Sequence, residues 1–284
     1  MDPLALTLVL ASATLHASWN LLAKRARGGF VVAWAFASVG AVALAPVGAW
    51  AVLRAGGVDA ATWGWVGASA CLHIGYFVSL QRAYGLGDLS LVYPLARGSG
   101  PALATILAIV VLAERPGPWA LAGVALVTGA AFGLAGGGAP GSARVVRAGL
   151  TTGAFIAAYS VWDASAVARA GIDPLAFAWL SEVVRAALLT PVALARRAEL
   201  RRVVRDVPSA VVGVGFLSPA AYLLVLIAFT RAPVSQVAPL REISMVIAVL
   251  LGSGLLREGN VRRRLTAAAA MVVGAALLAS SPMG

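Results

Sequence analysis

The chain consists almost entirely of apolar stretches, each about as long as a bilayer is thick. Ten of them follow one another, at about 4–23, 30–53, 63–84, 89–113, 117–136, 148–168, 174–195, 209–230, 234–256 and 262–280. A membrane-spanning α-helix needs roughly 20 predominantly apolar residues, and only 12% of this chain is charged. The sequence therefore predicts an all-α integral membrane protein with ten transmembrane helices and no room for a soluble domain.

The second half of the chain repeats features of the first half. Residues 90–97 (SLVYPLAR) and 235–242 (SQVAPLRE) align at an offset of 145, which places Pro94 on Pro239. Because five helices are an odd number, the second half enters the membrane from the opposite side. We therefore predict two inverted-topology repeats, 1–136 and 148–284, joined by a linker at 137–147; the glycine-rich stretch at this junction, 136–142, is flexible by composition.

The repeated motif places a proline inside a membrane span in each half. Proline cannot donate a helical hydrogen bond, and its ring pushes against the carbonyl of residue i−4. Paired helix breaks at matching positions of two halves indicate a transporter's binding site. We predict that Pro94 and Pro239 are conformational hinges; the alternative is a simple kink in each helix.

The first and sixth predicted helices share a pattern at spacing i, i+3, i+4, which places its members on one helix face. The pattern comprises His16, Trp19 and Asn20 in the first helix, and Tyr159, Trp162 and Asp163 in the sixth. Tryptophan often anchors a helix at the lipid interface, which leaves that role open for Trp19 and Trp162. A carboxamide or carboxylate inside a span, however, usually faces a cavity or a partner. We therefore predict that Trp19, Asn20, Trp162 and Asp163 line a central cavity.

Further polar and aromatic residues within the spans complete the predicted cavity. They are His73 and Tyr76 in the third helix, Tyr93 and Arg97 in the fourth, Tyr222 in the eighth, and Arg241 and Glu242 in the ninth. For His73 the alternative is a packing residue with its hydrogen bonds satisfied. Aromatic rings attract an ammonium group, and arginine can hold a carboxylate. This set suits a small amphipathic zwitterion.

Six charged residues lie well inside the predicted spans, away from their ends, and balance one another. They are Arg97, Arg185 and Arg241 against Asp163, Glu182 and Glu242. We predict that Arg97 pairs with Glu242, because the two occupy matching positions, and that Arg185 and Glu182 neutralise each other. The competing arrangement pairs Arg241 or Arg185 with Glu242 and Arg97 with Asp163.

The net charge of +11 is a topology signal rather than a surface for nucleic acid. With the N-terminus outside, cytoplasmic loops carry fifteen basic residues and the opposite loops only Arg54, Arg115, Arg169 and Arg231. The positive-inside rule then places both termini in the periplasm of a bacterial inner membrane.

The sequence lacks the motifs of an enzyme. It has no His-Glu-x-x-His, no Gly-x-Ser-x-Gly, no ATP-binding motif and only two histidines. The single cysteine, Cys71, excludes an internal disulfide and a thiolate metal cluster. We expect a monomer without cofactor or metal, whose partners are the lipid bilayer and a small-molecule substrate, with no nucleic acid.

The sequence resembles the EamA family of the drug/metabolite transporter superfamily over its whole length. The resemblance rests on residues 16–20 (HASWN), 93–97 (YPLAR) and 238–242 (APLRE), and on the pairs at 114–115 and 257–258. Within the superfamily the chain is most similar to the YddG-type amino-acid exporters. The resemblance implies a cavity lined by helices one, three, four, six, eight and nine, with helices five and ten packed together outside it. Many members are drawn with cytoplasmic termini, opposite to the charge count here.

The predicted function is secondary transport by alternating access, in which inverted repeats exchange their arrangements. We expect export of amino acids, including aromatic ones. The alternatives are an exporter of other small metabolites or drugs and a membrane interaction protein that transports nothing.

Overall fold

The computed structural model describes residues 1–23, 26, 29–86, 89–134, 143–247 and 261–281, without the side chains of 89–91, 93, 94, 134, 261 and 264. Besides a helical stretch at 243–247, this described part contains eleven α-helices: α1 (Pro3–Ala23), α2 (Phe30–Arg54), α3 (Ala60–Leu86), α4 (Leu89–Leu112), α5 (Pro118–Leu134), α6 (Ala143–Ala168), α7 (Pro174–Ala195), α8 (Arg197–Asp206), α9 (Pro208–Phe229), α10 (Val234–Leu240) and α11 (Val261–Ser280). The predicted all-helical fold is therefore confirmed for these residues.

Five of the described helices are long and apolar enough to cross a membrane. They are α1, α2, Leu95–Leu112 within α4, α7 and α9; within α5 and α11, 118–133 and 265–280 are apolar but shorter. The protein is thus a multi-pass membrane protein. Residues 137–142 of the predicted linker lie outside the described residues. The remaining linker residues, 143–147, belong to α6, which begins at Ala143.

Proline and aspartate determine where several helices begin. Pro118, Pro174 and Pro208 each open a helix, where the missing N–H has no helical partner and the fixed φ suits the first turn. Asp173 precedes α7, and its side chain accepts hydrogen bonds from the N–H groups of Leu175 and Ala176 at 2.8 and 3.2 Å. These signals explain why the predicted helix starts agree with the observed ones to within a few residues.

The two ends of the helix bundle differ. At one end, which we call the terminal end, α1 begins beside the last residues of α11. The Met1 ammonium donates hydrogen bonds there to the carbonyls of Ala279 and Ser281, at 3.1 and 3.0 Å. At the opposite end, which we call the basic end, α1 finishes, α2 begins and α8 follows α7. Only Val203 is buried on α8, and its arginines are exposed. This amphipathic helix is absent from the ten helices predicted from the sequence.

Helix pairs pack closely where side chains are small. α4 packs on α6, α2 on α7, α1 on α9 and α5 on α11, so the expected contact of the fifth and tenth predicted helices is confirmed. A Cβ added at Gly123 would lie 2.8 Å from the Gly274 carbonyl oxygen. Gly129, by contrast, has open space where a Cβ would stand. The two backbones therefore approach each other along the Gly123 face.

The two proline motifs differ in backbone structure. α4 runs without interruption through position 94, whereas α10 ends at Leu240, just after Pro239. A turn at Arg241 and Glu242 follows, and residues 243–247 are helical again. In this turn the N–H of Glu242 donates to the Pro239 carbonyl at 3.1 Å. The break thus places two charged side chains in the interior of the bundle.

Candidate functional site

A cavity of about 520 Å³ lies in the middle of the bundle. Its wall is formed mainly by α1, α2, α3, α7 and α9, together with Arg97, Tyr159 and Arg241. The lining extends to Ala23 at the end of α1, Val32 at the start of α2 and Tyr84 near the end of α3. Since all three lie at the basic end, the cavity extends from the middle of the bundle towards that end.

The terminal end is closed by packing that we call the seal. Buried side chains there include Val9, Leu44, Val66, Ala108, Phe177 and Phe229. The ring of Trp162 lies 4.3 Å from that of Trp65, and its indole N–H donates to the Trp65 carbonyl at 2.9 Å. The Glu114 carboxylate accepts the first two N–H groups of α10, from Val234 and Ser235, at 2.8 and 3.0 Å. These contacts join α3, α4, α6 and α10 across the closed end.

Arg97 connects three elements at the level of the cavity. Its Nε lies 3.2 Å from Glu242 Oε2, which confirms the predicted pair. A second nitrogen, Nη2, lies 3.0 Å from His16 Nε2 and 3.4 Å from Ser244 Oγ. Arg97 and Glu242 are 6% and 3% exposed. Burying such a pair is tolerable only when both charges are compensated, which this arrangement achieves.

Asp163 is the most deeply buried charged residue of the site, with no exposed surface. One carboxylate oxygen, Oδ2, accepts a hydrogen bond from Tyr222 at 2.5 Å and lies 3.0 Å from His73 Nε2. The other oxygen, Oδ1, has no hydrogen-bond partner among the described residues. His73 is itself stacked on Tyr159, with ring centroids 4.2 Å apart. Asp163 is therefore held from one side only.

Arg241 faces the cavity without an acidic partner in the described part of the chain. Its guanidinium carbon lies 5.4 Å from the centre of the Tyr222 ring. Tyr222 thus contacts Arg241 with its ring and Asp163 with its hydroxyl. Arg185, the third arginine of the site, is half-buried and pairs with Glu182, as predicted. The competing pairing of Arg97 with Asp163 is not observed.

The aromatic residues contribute in two different ways. Trp19 lines the cavity, touches the His16 ring edge-on at 4.7 Å, and has a buried indole N–H without a partner among the described residues. Tyr76 and Asn20 also line it, although the Asn20 amide donates to the carbonyl of His16 on its own helix. Trp162 belongs to the seal and does not line the cavity.

Of the predicted site residues, the structure brings Trp19, Asn20, His73, Tyr76, Arg97, Tyr222 and Arg241 together on the cavity wall. Asp163 and Glu242 stand directly behind that wall, each bonded to a residue on it. The side chains of Tyr93 and Pro94 lie outside the described residues. The backbone turn after Pro239 is consistent with its predicted hinge role, which stays a prediction.

Two helices that the resemblance did not include also form the wall. α2 contributes Val32, Ala33, Phe36 and Ala37, and α7 contributes Glu182, Arg185 and Leu189. The residues of α2 carry no polar signal that could separate a cavity face from a lipid face. The sequence shows the Glu182–Arg185 pair, but two charges that neutralise each other carry no signal that they also line a cavity.

Residues 145–280 match the sequence model of the EamA-like transporter family. This range spans nearly all of α6 to α11, so the similarity to this family lies in the second half of the chain. A solved structure described only as "Crystal structure of protein" is similar, with a TM-score of 0.73 and 20% identity. The match covers 96% of this chain and 95% of that one, and at this identity it shows a shared fold alone. No curated protein matches the sequence significantly.

Proposed function

We propose that this protein is a secondary transporter of the drug/metabolite type that exports amino acids, including aromatic ones, by alternating access. The observation that carries the proposal is the pair of charges on either side of Tyr222. Arg241 has no acidic partner in the described part of the chain, and Asp163 has one oxygen without a donor. A zwitterion in the cavity would place its carboxylate on Arg241 and its ammonium group against His73 and Tyr222, the two wall residues that are bonded to Asp163.

The remaining charges support this substrate class because they are already committed. Arg97 is paired with Glu242, and Arg185 with Glu182. Arginine binds carboxylates strongly because its planar guanidinium can donate two parallel hydrogen bonds. Arg241 is therefore the residue that we propose for the substrate carboxylate.

The size and lining of the cavity are consistent with a small amphipathic molecule. Small-molecule sites usually occupy about 300–1,000 Å³ and combine an apolar wall with few polar groups, and this cavity measures about 520 Å³. Trp19, Tyr76 and Phe36 provide aromatic faces on the wall. Aromatic side chains of a substrate could pack against them edge-on or in offset stacks.

We propose that the chain forms ten transmembrane helices arranged as two inverted repeats. Two such repeats can exchange their arrangements, which gives alternating access. Trp19 and Trp162 hold equivalent positions in the two halves. Trp19 lies on the wall of the cavity, whereas Trp162 packs in the seal. An exchange of these two environments would close the basic end and open the terminal end.

The charge distribution supports an orientation with the basic end in the cytoplasm of a bacterial inner membrane and both termini in the periplasm. The cavity then faces the cytoplasm, the side from which an exporter loads. We further propose that one chain forms the complete pathway, since the cavity is enclosed by helices of a single chain.

Two alternatives remain in different classes. The predominantly apolar and aromatic wall favours, as second candidate, a transporter of other small metabolites or drugs. A membrane protein that transports nothing would need no central cavity, and the transport experiment below separates it from both transporters.

The test is flux of radiolabelled L-phenylalanine across proteoliposomes that contain the purified protein. We expect saturable flux, which Arg241→Gln weakens roughly ten- to a hundredfold, because a charged hydrogen bond contributes about 1.5–3 kcal/mol. Arg205→Gln is the matched control, since Arg205 is exposed on α8, and it should transport normally. Absence of flux for L-phenylalanine and for a panel of other metabolites would refute the transporter proposal.

A further inference from the structure

We propose that Glu114 is the positioning residue that holds the terminal end of the bundle closed, and that its release from α10 opens the seal during transport. The inference rests on the proposed function, since a transporter that works by alternating access must open this seal. Glu114 belongs to the sequence pair at 114–115, which has no place in the substrate site. The corresponding pair at 257–258 lies outside the described residues.

Glu114 joins the end of α4 to α10 by two hydrogen bonds, which we call the latch. Its Oε1 and Oε2 accept the N–H groups of Val234 and Ser235 at 2.8 and 3.0 Å. Both N–H groups belong to the first turn of α10, where the helix offers them no carbonyl partner. Hydrogen bonds to a carboxylate are stronger than those between neutral groups. The latch is therefore a contact that the backbone of α10 cannot replace by itself.

A constrained junction at the end of α4 sets the direction of the Glu114 side chain. Ala113 has a φ of 55°, a left-handed conformation that is unfavourable for alanine. On one side of it, Arg169, which follows α6, donates a hydrogen bond to the Leu112 carbonyl. On the other side, the N–H of Glu114 donates to the Ala108 carbonyl at 3.2 Å. Such a conformation persists only where the surrounding contacts determine it, so α4 and α6 together aim Glu114 at α10.

α10 connects the latch to the proposed substrate site. All seven of its residues, Val234–Leu240, are buried, and a helix of this length is about 10 Å long. Glu114 holds its first turn, and Arg241, to which we assign the substrate carboxylate, follows its last residue. The latch and the substrate thus act on opposite ends of one short, rigid element. A shift of α10 that follows the substrate would lengthen the hydrogen bonds of the latch.

The latch is suited to repeated opening because Glu114 is only half-buried. After release, its carboxylate can be hydrated at the terminal end without entering the apolar interior. The buried pair of Arg97 and Glu242, by contrast, could separate only at the cost of leaving two uncompensated charges in the bundle. Among these acidic groups, Glu114 is therefore the one that can release its partner in every transport cycle.

The experiment measures how often the seal opens in the purified protein, with no substrate present. Cys71→Ser removes the only cysteine, and Ser69→Cys then introduces one thiol, one helical turn from Trp65, where the side chain has no exposed surface. A buried group reacts with a maleimide only after local opening, so the labelling rate reports the open fraction. Glu114→Ala should raise this rate about tenfold or more, because a charged hydrogen bond shifts an equilibrium by about that factor.

Glu114→Gln keeps one acceptor oxygen and should give an intermediate rate. It also carries the test if Glu114→Ala does not fold. Glu199→Ala is the matched control, because Glu199 is another half-buried glutamate but lies on α8 at the basic end. It should leave the labelling of Ser69→Cys unchanged.

A second thiol separates release of the latch from general loss of stability. Thr152→Cys, also combined with Cys71→Ser, places it at an equally buried position, about 15 Å along α6 from Trp162. Its labelling rate should not respond to Glu114→Ala. Equal acceleration of both thiols, or an unchanged rate at Ser69→Cys, overturns the latch and leaves the transporter proposal standing. Absence of flux for every metabolite refutes the transporter proposal, whereas the labelling result does not depend on any substrate.

Discussion

Arg97 shows how a single charge can connect three parts of a membrane protein. It contacts Glu242 in the turn after α10, His16 of α1 and Ser244. The contacts come from α1 and from the segment that follows α10, so the guanidinium fixes the relative positions of α1, α4 and that segment. The matching positions of Arg97 and Glu242 in the two halves were sufficient to predict their pairing.

Removal of one partner of this pair should be more harmful than removal of both. Arg97→Ala or Glu242→Ala leaves a buried charge without its counterion, which costs about 3–5 kcal/mol. The double variant Arg97→Gln with Glu242→Gln should recover much of that stability, measured by thermal unfolding in detergent. Strictly additive effects of the two single changes would contradict direct coupling, because independent sites add to within about 0.3–0.5 kcal/mol.

The two tryptophans of the repeated motif should respond differently to the same substitution. Trp19→Ala removes a ring from the cavity wall, so we expect weaker L-phenylalanine transport. Trp162→Ala removes a half-buried ring from the seal together with its hydrogen bond to the Trp65 carbonyl, and the cost should be only part of that for a fully buried aromatic residue, about 3–5 kcal/mol. Its main effect should therefore be a lower unfolding temperature. Equal losses of stability in both variants would show that Trp19 is also a packing residue.

Among the elements, α5 and α11 provide the clearest test of packing. A Cβ added at Gly274 would lie 2.9 Å from the Gly123 carbonyl oxygen, so Gly274→Ala must push the helices apart. We expect it to destabilise the protein by about 1–3 kcal/mol, as overpacking usually does.

Gly129→Ala is the matched control for this prediction, because its Cβ would meet open space. It should be neutral, or stabilising by up to about 1 kcal/mol through helix propensity. Comparable destabilisation by both substitutions would mean that the helices contact each other along a different face.

Helix positions were predictable because proline, glycine and hydropathy mark them directly. The sequence could not identify α8, whose ten residues are too short and too charged for a span. Nor could it show that α2 lines the cavity, since Ala33 and Phe36 suit lipid and cavity equally well. Trp19 and Trp162 share one motif, so no sequence pattern could tell which of them lies in the cavity and which in the seal.

At the scale of the whole molecule, the charge distribution predicts the orientation in the membrane. A fluorescent protein that must fold in the cytoplasm, fused after Gly284, should stay dark. The same reporter inserted between Arg202 and Val203 should fluoresce, because the exposed arginines of α8 lie at the basic end. Bright fluorescence after Gly284 would reverse the orientation and place the open cavity towards the periplasm.

The chain has a single cysteine, Cys71, which is exposed on α3. Only this residue has to be replaced before distances across the seal can be measured with labelled cysteines. Cys71→Ser leaves a chain without thiols, so every cysteine introduced afterwards carries a label at a known place. Ala61→Cys and Ala170→Cys would put spin labels on exposed positions near the terminal ends of α3 and α6, on either side of the Trp65–Trp162 contact. The distribution of spin–spin distances would then show how often the seal opens and whether a substrate changes that proportion.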